Sequence, residues 1–368
     1  RDAMLSFLME LASMESPSDV PESQDSVQEF LTAALADLGF QVRRTPGEKT
    51  GGYLLARKPN RDSTGPSQLL LGHCDTVWGL GTLDEMPLEL EGNRLKGPGV
   101  FDMKGGLTQI VFAQRILRKL GLDPEVSPVV LINSDEEIGS PESKEAIRKA
   151  AQESIRAFVP EPGMGLEGKV KTARKGWGRF NITVTGKAAH AGLDPKGGVS
   201  AILELSYIIQ ALHAMTDHDR GLTVNVGVIS GGTRSNVIAP SATCEVDVRV
   251  LSAADGEEVE EKIRGLSSTL PGTSFEVAGS FDTPPLERTP RNRSLWEAAR
   301  AAAGELGVTL EGGVAGGGSD GNTTSQYTAT LDGIGPVGDG AHAPHEFLFV
   351  DKLVERCALL ARFMLLAP

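Results

Sequence analysis

Residues 69–75 read Leu-Leu-Leu-Gly-His-Cys-Asp, an apolar run that ends abruptly in an imidazole and a carboxylate. A short apolar run of this kind predicts a buried β-strand, here over 68–71. His73 and Asp75 then follow the carboxyl end of the strand, which is where open α/β sheets place their ligand sites. We therefore expect this stretch to form one side of a metal site.

Two more apolar runs end in acidic residues. Residues 129–133 precede Glu136 and Glu137, and residues 157–159 precede Glu161. Amphipathic helix patterns lie between the runs and would supply the crossovers of parallel strands. The sequence thus predicts an α/β fold, with a mixed, mostly parallel sheet and helices on both of its faces.

Beyond the third run the pattern changes to strands in which apolar and polar residues alternate, as in 179–186 and 243–250. The elements predicted here follow the order strand, helix, strand, strand, helix, strand, which is typical of a split βαβ domain. We therefore predict an inserted α+β, ferredoxin-like domain at 174–283. Residues 1–173 and 284–368 are predicted to form the catalytic domain.

Charge and cysteine content narrow the function classes. A net charge of -13, without a basic patch, argues against nucleic-acid binding. The sequence has no apolar run of about 18 residues and no signal-peptide pattern, so we expect no membrane span and no membrane partner. Three widely spaced cysteines favour a reducing compartment over a disulfide framework. We expect a cytoplasmic location, with a periplasmic or secreted one as the alternative if a leader preceded Arg1.

The residues near these strand ends are of the types that bind divalent metal ions. Imidazole and carboxylate groups suit zinc, manganese or cobalt, and shared carboxylates suit two ions about 3.5–4 Å apart. Each signal has an ordinary alternative, because a lone His is more often structural and a Glu pair often begins a helix. Repetition at several strand ends favours metal, since burying so much negative charge without a cation is costly. The candidates are His73, Asp75, Asp102, Glu136, Glu137, Glu161 and His342.

Ordered motifs along nearly the whole chain carry a resemblance to a known family. They are Gly-His-Cys-Asp-Thr-Val at 72–77, Gly-Val-Phe-Asp-Met-Lys-Gly-Gly at 99–106, Asp-Glu-Glu-Ile-Gly-Ser at 135–140, Glu-Pro at 161–162, Gly-Lys-Ala-Ala-His-Ala-Gly at 186–192, Thr-Arg-Ser-Asn-Val-Ile at 233–238, and the segment from His342 to Glu346. With these motifs the chain resembles the zinc-dependent aminoacylase and glutamate carboxypeptidase family, and most of all its bacterial glutamate carboxypeptidases. The family also holds acetylornithine deacetylase, succinyl-diaminopimelate desuccinylase and several di- and tripeptidases.

The resemblance implies two zinc ions per subunit, with cobalt or manganese as substitutes. The ligands it implies are Asp102 as the bridge, His73 and Glu161 at one ion, and Glu137 and His342 at the other. His345 is a rival for the last place, but the spacing from His342 to Glu346 is more similar to that of the family.

The resemblance also implies catalytic roles. Glu136 would be the general base, taking a proton from water and delivering it to the leaving amine. Asp75 would accept the second ring N–H of His73 and fix its orientation, and its alternative is a local turn cap. His190 would donate a hydrogen bond to the oxyanion in the other subunit of a homodimer, although on pattern alone it could be a turn residue. The resemblance implies that the inserted domain at 174–283 serves as a lid and that the dimer forms through it.

Four residues resemble substrate-binding groups of the family. Arg249, with Asn236, would grip the substrate, since a guanidinium suits a carboxylate, and the ordinary alternatives are a solvated Arg and a turn Asn. Gly317 and Gly318 match a loop along which backbone approaches the ligand closely. Thr283 stands where similar glutamate carboxypeptidases carry an arginine. Specificity for a terminal glutamate is therefore in doubt.

The sequence thus predicts a dinuclear zinc amidohydrolase that acts on a small peptide or an N-acyl amino acid. The first hypothesis is a carboxypeptidase, which cleaves the amide next to a free amino-acid carboxylate. The second is an N-acyl amino acid deacylase or a dipeptidase. A different class, an inactive binding relative of the fold, would lack a ligand or the base, and the sequence retains each of them.

Overall fold

The computed structural model describes residues 1–59 and 65–368. The helices are α1 Asp2–Ala12, α2 Gln24–Asp37, α3 Thr82–Glu85, α4 Gly105–Leu120, α5 Lys144–Gln152, α6 Ala201–His213, α7 Ala253–Arg264, α8 Pro290–Glu305, α9 Asp320–Ser325 and α10 Val350–Met364. The strands are β1 Gln41–Thr45, β2 Tyr53–Arg57, β3 Ser67–His73, β4 Glu89–Glu91, β5 Arg94–Lys96, β6 Ser127–Asn133, β7 Ser154–Val159, β8 Val170–Arg174, β9 Gly176–Thr185, β10 Thr223–Gly231, β11 Ser241–Val250, β12 Ser274–Thr283, β13 Gly312–Ala315, β14 Ala329–Asp332, β15 Gly338–Asp339 and β16 Phe347–Phe349. Within the described ranges, no helix combines the length and apolarity that a membrane crossing requires.

The chain divides into two compact units. The first comprises Arg1–Thr172, Arg288–Ala315 and Ser319–Pro368, and the second comprises Ala173–Glu287 and Gly316–Gly318. The roles of residues 174–283 as a lid and a dimerisation domain stay predictions.

An eight-stranded mixed sheet organises the first unit. Its strand order is β1-β2-β6-β3-β7-β14-β8-β13. The central strands β6, β3, β7 and β14 are parallel to one another, whereas β1 and β2 add antiparallel strands at one side. This topology confirms the predicted mixed α/β sheet.

Strand β3 shows that both faces of this sheet are covered. All of its residues are buried. Because successive side chains of a strand point to opposite faces, Leu70 packs into one hydrophobic cluster and Leu69 and Leu71 pack into another. Helices α1, α2, α4, α8 and α10 contribute to the first cluster, and α5 contributes to the second. The predicted helices on both faces are therefore present.

The carboxyl ends of the central parallel strands meet at one edge of the sheet. β3 ends at His73, which is paired in register with Asn133 at the end of β6. The helical turn Glu136–Ile138 follows β6, and Glu161 follows β7. The topology thus brings together the strand ends that the apolar runs predicted.

The first unit has a second, smaller sheet, which the sequence did not predict. Its antiparallel strands have the order β15-β16-β5-β4, and each has only two or three residues. Strands this short have no readable period. The small sheet matters because His342 lies between β15 and β16.

The second unit is an antiparallel sheet with two helices. The strand order is β10-β11-β9-β12, and α6 and α7 follow β9 and β11 in the chain. In β9, Phe180, Ile182 and Val184 are buried and alternate with exposed residues. They form a hydrophobic cluster with side chains of α6 and α7. The predicted strand-helix-strand-strand-helix-strand order is confirmed.

Candidate metal centre

Two turns place the candidate ligands that do not follow a parallel strand. Asp102 lies in the segment Val100–Lys104, which leads directly into α4; its own backbone is not helical, with φ -116° and ψ 102°, and its peptide bond with Met103 is cis. His342 lies in the turn after β15 and has a positive φ of 60°.

The candidate ligands converge on Asp102. His73 Nε2 lies 3.4 Å from Asp102 Oδ1 and 3.4 Å from Glu161 Oε1. The other oxygen of Asp102, Oδ2, lies 3.5 Å from His342 Nε2, which is 3.0 Å from Glu137 Oε2. The side chains therefore form two groups of three that share Asp102.

His345, the rival of His342, lies elsewhere. Its Nε2 is 4.0 Å from Asp339 Oδ2, and its side chain is 67% exposed. The geometry thus favours His342 as the histidine of the second group.

Buried polar atoms without hydrogen-bond partners indicate that a cation fits this site. Among the described residues, such atoms include His73 Nε2, Asp102 Oδ1 and Glu137 Oε1. One potential ligand atom from each of these three residues lies within 4.8 Å of the others. Leaving buried polar atoms unpaired is costly, and imidazole nitrogen with carboxylate oxygen is a donor set of zinc and similar ions. The residues present therefore fit a divalent metal ion.

The charged groups of this centre strongly shift one another's pKa values. Burial raises the pKa of Asp102, but the close approach of His342 and His73 lowers it well below the usual range. The close approach of Asp102 and Glu137 raises the pKa of His342 to about 10. Ligation requires a neutral imidazole, so a bound cation takes the place of the histidine protons.

Asp75 supports both His73 and the turn with the two glutamates. His73 Nδ1 lies 3.0 Å from the backbone oxygen of Asp75 and 3.3 Å from its Oδ1. The shorter contact is therefore to the backbone oxygen, and the longer one is to the carboxylate. That carboxylate also accepts hydrogen bonds from Ser18 Oγ and from the N–H groups of Glu136 and Glu137. The Nδ1 contact leaves Nε2 to face the candidate ligands.

Glu136 faces the same centre from a greater distance. Its Oε2 lies 3.9 Å from His73 Nε2. Burial raises the pKa of Glu136 well above 4.5, and this effect exceeds the opposing effect of the His73 charge. A carboxyl group with a raised pKa can accept and return a proton closer to neutral pH.

A buried polar network supports the segment that carries Glu136 and Glu137. This network was not predicted from the sequence. Asp320 accepts hydrogen bonds from Ser140 Oγ at 2.5 Å and from Asn133 Nδ2 at 2.8 Å. Asp135 accepts hydrogen bonds from the backbone and the hydroxyl of Ser143. Polar residues in short segments carry no periodic signal. The sequence cue for Asp320 is its place after Ser319 at the start of α9.

Two of the remaining candidates, His190 and Asn236, are neighbours in the second unit. Backbone N–H groups of Gly192 and Leu193 donate to His190 Nδ1, each at 3.1 Å. Because Nδ1 accepts, the proton of the neutral ring is on Nε2. The backbone oxygen of Asn236 accepts the N–H of Ala191 at 3.0 Å. The second unit thus presents His190 as an exposed Nε2–H donor beside Asn236.

The other substrate-binding candidates also belong to the second unit. Arg249 pairs with Asp247 through both Nε and Nη2, at 2.8 and 3.0 Å. The backbone oxygens of Gly317 and Gly318 accept hydrogen bonds from Arg174 Nη1 at 3.2 and 2.8 Å. Two nitrogens of the Arg249 guanidinium, Nε and Nη2, thus already donate hydrogen bonds within the chain.

Paired histidine and carboxylate groups at the carboxyl ends of a mixed α/β sheet define a metal-dependent hydrolase. The sequence model described as peptidase family M20/M25/M40 matches residues 69–366, and the chain belongs to this family.

Two relatives cover nearly the whole chain. Carboxypeptidase G2 from Pseudomonas sp. (strain RS-16) is 29% identical over 377 residues, which cover 99% of this chain and 89% of the relative. Acetylornithine deacetylase from Myxococcus xanthus is 27% identical over 378 residues, which cover 98% of this chain and 96% of the relative. The relatives thus include a peptidase and a deacylating enzyme.

Solved structures share the fold. Aminopeptidase PepT from Bacillus cereus matches with a TM-score of 0.83 at 22% identity, covering 98% of this chain and 97% of that chain. The YXEP protein of Bacillus subtilis, a dinuclear metal binding peptidase of the M20 family, matches with a TM-score of 0.71 at 18% identity, covering 99% and 97%. At these identities the likeness shows the fold.

Proposed function

We propose that this chain is a dinuclear metallocarboxypeptidase that cleaves the amide next to a free amino-acid carboxylate. The observation that carries the proposal is the pair of three-residue groups that share Asp102. The similarity to carboxypeptidase G2 over 99% of this chain supports this reaction.

Two zinc ions are the proposed cofactor, with cobalt or manganese as substitutes. His73, Asp102 and Glu161 would hold one ion, and Asp102, Glu137 and His342 would hold the other. Bound zinc polarises the scissile carbonyl and brings the pKa of water towards about 7. The dinuclear Bacillus subtilis peptidase of similar fold supports the number of ions.

Glu136 is the proposed general base. It lies beside the ligand groups, 3.9 Å from His73 Nε2, and its buried carboxyl group has a raised pKa. Glu136 takes a proton from the attacking water and later delivers it to the leaving amine. Asp75 positions Glu136 by accepting its backbone N–H.

His190 is the proposed oxyanion donor. With Nδ1 accepting two backbone N–H groups, the Nε2–H of the neutral ring is available to donate to the oxyanion in the other subunit. Donors aimed at a developing negative charge stabilise the transition state. His190 thus makes activity depend on a homodimer.

The surface proposed for this dimer lies on α6 and β10 of the inserted domain. Ile202, Leu203 and Tyr207 on α6 are 48%, 45% and 38% exposed, and Val228 and Ile229 on β10 are 54% and 65% exposed. β10 is also an edge strand, with backbone groups open to pairing. Exposed apolar groups next to an open strand edge fit a second copy of the chain.

The proposed substrate is a small peptide with a free C-terminal carboxylate. Arg249 would bind this carboxylate beside Asn236, and the loop of Gly317 and Gly318 would line the pocket. Because Asp247 occupies Nε–H and one N–H of Nη2 in Arg249, the substrate carboxylate would contact the remaining N–H groups of Nη1 and Nη2.

The second candidate function is an N-acyl amino acid deacylase, favoured by the similarity to acetylornithine deacetylase. Comparison of kcat/KM over matched dipeptides and N-acyl amino acids separates the two. We expect the highest values for peptides that end in an acidic or an apolar residue. Higher values for N-acetyl amino acids would instead select the deacylase.

A further inference from the structure

Glu346 is a buried glutamate outside the two ligand groups, and its carboxylate accepts four hydrogen bonds. The residue is 1% exposed. Oε1 accepts the N–H groups of Phe101 at 2.9 Å and Asp102 at 3.1 Å. Oε2 accepts the N–H of Gly99 at 2.9 Å and Trp78 Nε1–H at 2.8 Å. Both oxygens are thus occupied by donors, three of which belong to the backbone that carries Asp102.

The backbone of Glu346 belongs to the turn that carries His342. Its N–H donates to the oxygen of Ala343 at 3.0 Å, and its oxygen accepts the N–H of Gly97 at 3.2 Å. Through side chain and backbone together, Glu346 therefore joins the His342 turn to the segment that leads to Asp102.

Space filling does not explain a carboxylate at this position. A charged carboxylate is costly in so buried a position. An apolar side chain would leave the buried backbone N–H groups without an acceptor, which destabilises the fold at each of them. The charged acceptor instead satisfies these donors and fixes the path of the backbone at Asp102.

We propose that Glu346 is a positioning residue for the metal subsite that contains His342. It holds Asp102 Oδ2 and His342 Nε2 at the separation of 3.5 Å found in the structure. The other subsite depends less on Glu346, because His73 and Glu161 are placed by β3 and β7. The inference rests on the proposed dinuclear function.

Stepwise zinc titration of the metal-free protein tests this role. Glu346→Gln keeps the size of the side chain but turns an NH2 group towards two of the donors. We expect the first ion to bind as in the wild type and the second to bind about 10–100-fold more weakly, as when outer partners of metal ligands are removed. Raising free zinc should then restore turnover, because Glu346 positions a ligand and does not touch the substrate.

Glu204→Gln is the matched control. Glu204 is also fully buried, and it accepts the N–H groups of Thr269 and Leu270 at 2.9 and 2.7 Å in the second unit. This variant makes the same chemical change away from the ligands, so we expect a lower Tm of the metal-free protein and unchanged affinities for both ions.

Trp78→Phe is a milder second variant, which removes one donor from Glu346 and leaves its three backbone donors in place. Trp78→Phe should also weaken binding of the second ion, but by a smaller factor than Glu346→Gln. It keeps the test available if Glu346→Gln does not fold. One outcome is that the wild type binds two ions while the folded variants bind the second ion with unchanged affinity. In that case Glu346 is only structural and the inference is overturned, while the proposed function stands. A wild type that binds fewer than two ions overturns both.

Discussion

His342 Nε2 lies 3.0 Å from Glu137 Oε2, although the two residues belong to turns after β15 and β6. Two different sheets therefore contribute to one group of ligands, the mixed sheet through Glu137 and the small antiparallel sheet through His342. Asp102 connects this group to the one at His73.

His342→Ala should remove one metal subsite and leave the other. The reason is that His342 contacts only Asp102 and Glu137 of the ligand set. Zinc content after dialysis should fall from about two ions per chain to about one, with turnover lost. His345→Ala is the matched control and should keep both ions; loss of zinc in this variant instead would exchange the roles of the two histidines.

Glu136→Gln should retain both ions and lose turnover by about 10²–10⁴-fold, the usual contribution of a positioned general base. Metal content and kcat measured on the same preparation check this. Glu137→Gln is the companion variant, and it should lose an ion. Near-normal turnover of Glu136→Gln would show that another group moves the proton, whereas an inactive wild type with both ions bound would favour the binding relative.

His190→Ala should lower kcat by about 10²–10³-fold, the range for removal of one oxyanion donor. Mixing His190→Ala with Glu136→Gln tests whether His190 acts in the other subunit. In a mixed dimer, the site that retains Glu136 receives an intact His190 from the partner chain. Random exchange makes about half of the dimers mixed, each with one complete site, so about a quarter of the wild-type rate should return. No recovery after demonstrated subunit exchange would place His190 in its own subunit's site.

Asp320→Asn should change how stability depends on pH. Burial raises the pKa of Asp320 from 3.8 to about 7, so between these values the folded protein holds a proton that the unfolded chain has lost. The free energy of unfolding therefore falls as pH rises through this window. Asn cannot titrate, so the stability of the wild type relative to the variant should decrease from about pH 4 to about pH 7 in urea unfolding of metal-free protein. If the difference in the free energy of unfolding between wild type and variant stayed constant across this range, Asp320 would not be the source of the pH dependence.

The sequence predicted the part of the site that depends on long, buried strands. His73 and Glu161 follow short continuous apolar runs, which predict both the buried strand and the end at which its polar residue lies. Asp102 and His342 lie in segments without a period, and their ligand roles came from motif resemblance alone. The small sheet that places His342 was missed because its strands are too short to leave a pattern.

The contacts that support the ligands could not be predicted from one sequence. Glu346 and Asp320 act through hydrogen bonds to segments that are far away in the chain. Such contacts depend on how the loops fold back on each other, and neither composition nor periodicity records them.

The central claim is a dinuclear metal centre built on Asp102, and zinc content per chain measured alongside hydrolysis tests it most directly. We predict about two zinc ions per chain, loss of hydrolysis on chelation, and its return only after both ions are restored. Full activity with one ion per chain, or activity that survives complete removal of metal, would contradict the account.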